Sequence, residues 1–268
     1  MRARTLAWVL WAATVSLVGG ALFLGLANRQ EVSLVDAPLT IIPPTFATFG
    51  ALISSRRPGN VMGWIFLATG ILGGVQIFSG QYATVALAPD GPALPGGALA
   101  AWSAMLAQNS FPISILFLVL LFPDGMLPSR RWRPLAWAMG VFLAITLVVG
   151  ALSPGPFPDF PSAGNPFGVE GAKPSGSVLA VGQLGGLACV IATLLSLIVR
   201  FYFSRGEERL QLNWFTYAAV VGLSTPLLLN SLAIAVFQMV GPFAWTLGFL
   251  SLPVSAGVAV LKCTASTT

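Results

Sequence analysis

Long apolar runs, each close to the length of a membrane crossing and almost free of charge, constrain this chain more than any motif does. A spanning helix needs about 20 mostly apolar residues to cross roughly 30 Å of hydrocarbon, and the sequence offers that length repeatedly. Water would not keep such a chain dispersed: 56% of its 268 residues are hydrophobic and 8% are charged, against about a quarter charged in an ordinary soluble domain. The ten-residue alternation of a membrane barrel is absent, so helices are the expected way across.

The runs read as eight spans, at about 5–27, 38–54, 61–82, 99–122, 134–152, 177–203, 211–238 and 242–262. The first follows Arg2 and Arg4. It is longer than a signal-peptide core, lacks a clear Ala-x-Ala site and precedes further spans, so it reads as a retained helix. The second is short and carries Pro43 and Pro44, which would kink or interrupt a helix; a broken or partly re-entrant segment is the alternative to a full crossing. The expected fold is an all-α polytopic bundle, one membrane domain over 1–262 with a short cytoplasmic tail at 263–268.

Orientation follows from the positive-inside rule. With the N-terminus cytoplasmic, the inner connections hold Arg2, Arg4, Arg56, Arg57, Arg130, Arg131, Arg133, Arg200, Arg205, Arg209 and Lys262, while the outer ones hold only Arg29 and Lys173. An even number of spans then returns both termini to the cytoplasm of a bacterial plasma membrane. The net charge of +5 is thus a topology signal, and without a basic stripe interleaved with exposed aromatics, nucleic acid is not an expected partner. Cys189 and Cys263 lie in regions that should not meet, so no disulfide is expected. Histidine is missing from the sequence, which excludes Ser-His-Asp chemistry, His-ligated metals and a phospho-accepting histidine within it. No cofactor is expected.

The longest connection, 153–176, is rich in proline and glycine and falls on the outer side, where it should be extended or irregular rather than a folded domain. Gly70-Ile-Leu-Gly-Gly74 is echoed by Gly182-Gln-Leu-Gly-Gly186. These small-xxx-small spacings let helix backbones approach, within a chain or between copies in a homo-oligomer, and packing explains them better than duplication.

Three inner connections carry most of the polar information. Arg56-Arg57-Pro58-Gly59-Asn60 precedes Gly63-Trp64. Leu121-Phe122-Pro123-Asp124-Gly125 precedes Leu127-Pro128-Ser129-Arg130-Arg131-Trp132-Arg133. The third runs Arg205-Gly206-Glu207-Glu208-Arg209 into Leu210-Gln211-Leu212-Asn213-Trp214. Singly, each reads as a turn with an interfacial Arg/Trp anchor, or a helix end with pairing charges; coupling to a partner is the alternative. Together, RRPGN-x-x-GW, LFPDG-x-LPSRRWRP-x-AW and RGEER-x-QL-x-WF-x-YA resemble the membrane-embedded N-terminal region of sensor histidine kinases of the actinobacterial and Chloroflexota type. Residues 252–262 resemble that region's last span. The resemblance implies an input module whose partner is a cytoplasmic kinase or response regulator. It departs at Cys263, where the family continues into kinase modules and this sequence gives six residues, so an input half split or truncated from its kinase is expected, with no catalytic residue carried over.

Inside the spans no Asp, Glu, Lys or Arg lies near a predicted midplane, which lowers ion-coupled transport. The polar groups there are amides, Gln76, Gln108, Asn109, Gln183 and Asn230, placed by a rise of about 1.5 Å per residue between the midplane and the outer face. One reading is a polar ligand pocket open outward and roofed by 153–176. The other is that each amide makes an interhelical hydrogen bond of roughly 0.6 to 2 kcal/mol. Pro112 and Pro226 should kink the fourth and seventh spans, as packing devices or as parts of a module that transmits a shift. The expected function is a non-catalytic, sensor-like membrane module; the alternative is a small permease or channel-like protein.

Overall fold

The computed structural model describes residues 2–28, 37–89, 94–122, 125–127, 129–172, 174–203, 216, 246, 249–251 and 253. Six α-helices account for most of these: α1 (Arg2–Ala27), α2 (Ile42–Arg56), α3 (Val61–Ala86), α4 (Gly97–Leu121), α5 (Arg133–Leu152) and α6 (Gly176–Phe203). There is no strand among the described residues. Five stretches, Arg2–Ala27, Val61–Ala86, Gly97–Leu121, Arg130–Leu152 and Leu179–Tyr202, are long and apolar enough to cross a membrane. Of the expected spans over 211–238 and 242–262, all but 216, 246, 249–251 and 253 lie outside the described residues.

α2 is the exception in length. Its 15 residues cover about 22 Å, less than the hydrocarbon, and a 3-10 turn, Ala37–Ile41, leads into it. Pro43 and Pro44 occupy its first turn, where a missing N–H has no intrahelical partner to lose. The proline pair therefore starts the helix instead of breaking it, and the irregular backbone lies before it.

α3 is the hub. It starts where Asn60 accepts a hydrogen bond from the Met62 N–H at 2.9 Å, satisfying one of the donors that a helix start leaves open. α2 runs antiparallel to it at near-backbone contact. A Cβ on Gly50 would stand 2.6 Å from the Leu67 nitrogen, one on Gly70 2.8 Å from the Ala47 nitrogen, and one on Gly73 2.7 Å from Pro43 Cγ. α1 runs parallel to α3 on another side, with Gly74 against Thr14 and Leu17 and Gly20 against Phe78. Trp11 Nε1 ties α1 to α2 through Thr48 Oγ1 at 2.9 Å. The outer faces of α1, α5 and α6 are apolar and open: Phe23 is 70% exposed, Trp137 75% and Val181 70%, surfaces that suit lipid and not water.

α4 is antiparallel to α3, with Gly80 against Ala104 and Gly73 against Phe111. The main apolar core lies where α2, α3 and the second half of α4 meet, around Phe46, Phe66, Ile115 and Leu118. α5 returns along α4, and α6 returns along α5 with Gly185 and Gly186 resting loosely on the Phe142 ring. This alternation brings the arginine-rich ends together. Gly125 sits against Val61 at the start of α3, and the Arg200 guanidinium at the end of α6 donates to the Met126 carbonyl. The connection 153–172 closes the opposite end.

Candidate functional site

At that opposite end lies a cavity of about 380 Å³, lined by Met105, Gln108 and Asn109 of α4, by Gly150 of α5 and by residues 153–159. That volume falls within the roughly 300 to 1,000 Å³ of small-molecule pockets. Gly150 keeps it open, since a Cβ there would stand 3.2 Å from Met105 Sδ and 3.6 Å from Asn109 Nδ2.

The loop that forms the roof is irregular in backbone, as its composition predicts, yet it is pinned to the bundle. Asn165 Nδ2 donates to the carbonyls of Ala151 at 2.9 Å and Ser153 at 2.7 Å, and its Oδ1 accepts from the Phe167 N–H. The Val169 N–H donates to the Leu152 carbonyl at 2.9 Å. These bonds satisfy carbonyls that the end of α5 leaves without helical partners. Trp102 Nε1 of α4 donates to the same Ala151 carbonyl at 3.2 Å, and its ring packs at a 56° tilt against Phe167, centroids 4.9 Å apart. Buried Phe157 and Ala163 cluster with Ala83 and Ala101, so the loop rests on the ends of α3 and α4.

Of the five amides singled out from sequence, Gln108 and Asn109 line this cavity. Asn109 Nδ2 reaches only Met105 Sδ, at 3.2 Å, and a thioether is a weak acceptor. Gln76 is half-buried on α3 and Gln183 is exposed on α6; neither belongs to the lining. Asn230 lies outside the described residues. Among those residues, no interhelical hydrogen bond from any of the four described amides is found. Below the cavity α4 turns apolar: Ile113, Ile115, Leu116, Leu118, Val119 and Leu120 are all buried.

At the arginine-rich end, Arg56, Arg57, Arg130, Arg131 and Arg133 are exposed and pair with no carboxylate among the described residues. The first turn motif is built as expected, with Asn60 N–H donating to the Arg57 carbonyl at 2.9 Å and Trp64 Nε1 to the Pro58 carbonyl at 3.0 Å. In the second, Gly125 has φ +75°, a left-handed backbone that favours glycine, and its N–H donates to the Leu121 carbonyl at 2.8 Å. Asp124, Glu207, Glu208 and Arg209 lie outside the described residues.

Sequence reasoning missed Gly150, Trp102, Asp159 and Asn165. Asn165 carried a signal, an Asn before a Pro inside a turn-rich stretch. Gly150 carried none, because its role depends on which helix it faces. No family model, curated protein or solved structure matches the chain significantly.

Proposed function

We propose that this chain is a non-catalytic, sensor-like membrane module of a histidine-kinase-type signalling system. It forms an eight-span bundle in a bacterial plasma membrane, with both termini and the arginine-rich connections cytoplasmic. A ligand entering the loop-end cavity biases the bundle between two helix arrangements. Contacts of the 125–127 turn with α3 and α6 carry that bias to the cytoplasmic side, where Arg56, Arg57, Arg130, Arg131 and Arg133 face a kinase or response regulator.

The observation that carries this reading is a cavity at one end of the bundle with two carboxamides in its lining and, on α4, no polar side chain beyond Ser114. Gln108 and Asn109 floor it, and buried aliphatic residues of α4 follow directly beneath. A permease needs polar groups continuing to the other face, and α4 supplies none below Ser114. A pocket at one end over a packed core is the form of a receptor.

Affinity capture of the tagged chain from native membranes tests the assignment, alongside solute flux in proteoliposomes. The sensor reading expects a histidine kinase or response regulator to be captured and no flux. Flux without any captured signalling partner would replace it with the permease.

A further inference from the structure

The loop backbone that lines the cavity offers more hydrogen-bond acceptors than donors, and the proline spacing is the cause, while Gln108 and Asn109 on the helix side bring carboxamides that both accept and donate. Residues 153–159 carry Pro154, Pro156 and Pro158, which have a carbonyl but no N–H. Of the four remaining N–H groups, that of Ser153 is taken by the Val149 carbonyl and that of Phe157 by the Ala163 carbonyl, which leaves those of Gly155 and Asp159 against seven loop carbonyls. The Ser153 hydroxyl also donates to Val149, at 2.6 Å, so towards the cavity it retains only lone pairs. On the helix side, Pro112 has no N–H to give to the carbonyl of Gln108, its partner four residues back.

Charge points the same way. Asp159 is the ionisable group among the described lining residues. Among the described residues no cation lines the cavity, and the described charged groups of this loop are Asp159 and Glu170, whereas those at the other end of the bundle are arginines.

The geometry points to a small primary amine, bound as its ammonium and carrying an apolar body, as the ligand of this cavity. An ammonium has three donors and no acceptor, which suits the proline-flanked carbonyls of the loop, and Asp159 supplies its countercharge. The thioether of Met105 and the proline rings accommodate the apolar part. A bare metal ion does not suit the site, because it needs about six or more oxygens converging at roughly 2.3 to 2.6 Å, and one carboxylate at an open cavity of about 380 Å³ does not supply them. This inference rests on the cavity being the sensing site.

Saturation-transfer NMR of the full chain in lipid nanodiscs provides the test, with three probes of one shape: phenethylamine, neutral 2-phenylethanol and anionic phenylacetate. Phenethylamine should bind about tenfold more tightly than 2-phenylethanol, the scale of one charge-assisted hydrogen bond, and phenylacetate weakest. Asp159→Asn, at an exposed loop position, should remove that preference, and Gly150→Leu or Gln108→Leu should abolish transfer from the wild-type cavity. If phenethylamine and 2-phenylethanol bind alike and Asp159→Asn changes nothing, the amine assignment is overturned while the pocket stands. Transfer that survives both Gly150→Leu and Gln108→Leu is partition into lipid and overturns the pocket as well, as does no binding of any probe.

Discussion

The indole of Trp102 on α4 donates to the carbonyl of Ala151 on α5, the same carbonyl that receives Asn165 from the loop. One backbone oxygen thus joins two helices and the roof of the cavity. Asn165→Ala removes three hydrogen bonds at once and should release the loop by about 1 to 3 kcal/mol. Trp102→Phe should cost less, since its ring packing on Phe167 is largely kept. Amide hydrogen exchange over 153–172 checks both: exchange at Val169 and Phe157 should rise several-fold in Asn165→Ala, while α3 stays protected.

The two glycine pairs that look alike in sequence should behave oppositely. Gly70→Ala puts a methyl against the Ala47 nitrogen and the Pro43 carbonyl, 2.8 and 2.9 Å away, and backbone cannot yield as a side chain does. A loss of about 1 to 3 kcal/mol is expected. Gly182 meets nothing within 4 Å, so Gly182→Ala should be neutral or stabilise α6 by up to about 1 kcal/mol. Thermal melts in detergent micelles separate the two.

That contrast shows what the sequence could and could not disclose. Span length and apolarity located α1 and α3 to α6 to within a few residues, because hydrocarbon thickness sets both. The ends of α1 and α3 run past the predicted limits, since helical hydrogen bonding does not stop where apolarity does. Gly70 and Gly74 share a spacing but face different neighbours, α2 and α1, which spacing cannot reveal. Likewise, the positions of Gln108 and Asn109 on α4 were legible as polar intrusions, but Gly150 and Asp159 were not. Their roles depend on the path of a proline-rich loop that has no periodicity to read.

Asn109→Leu should separate stability from response. Its side chain makes one weak bond to Met105, so the melting midpoint should shift by the equivalent of less than about 1 kcal/mol. Ligand-dependent change in a co-reconstituted kinase should disappear. A large destabilisation instead would mean that the amide holds the bundle together.

Asn60→Ala removes the side-chain acceptor at the start of α3 and should cost about 1 kcal/mol. Because the Arg57 turn and the Trp64 bond to Pro58 depend on the same local geometry, exchange at Met62 should rise first. Asn60→Asp, which keeps the acceptor and places negative charge at a helix N-terminus, should restore the wild-type value.

The central claim is that the cavity faces outward while the arginine-rich end faces the cytoplasm, and sidedness labelling tests it most directly. In a chain with Cys189 and Cys263 replaced by serine, single cysteines are introduced as Ser162→Cys in the loop and Ser129→Cys beside Arg130, both at exposed positions. A membrane-impermeant maleimide should label the first in intact cells and the second only after permeabilisation. The reverse pattern would place the pocket in the cytoplasm and contradict an outward-facing sensor.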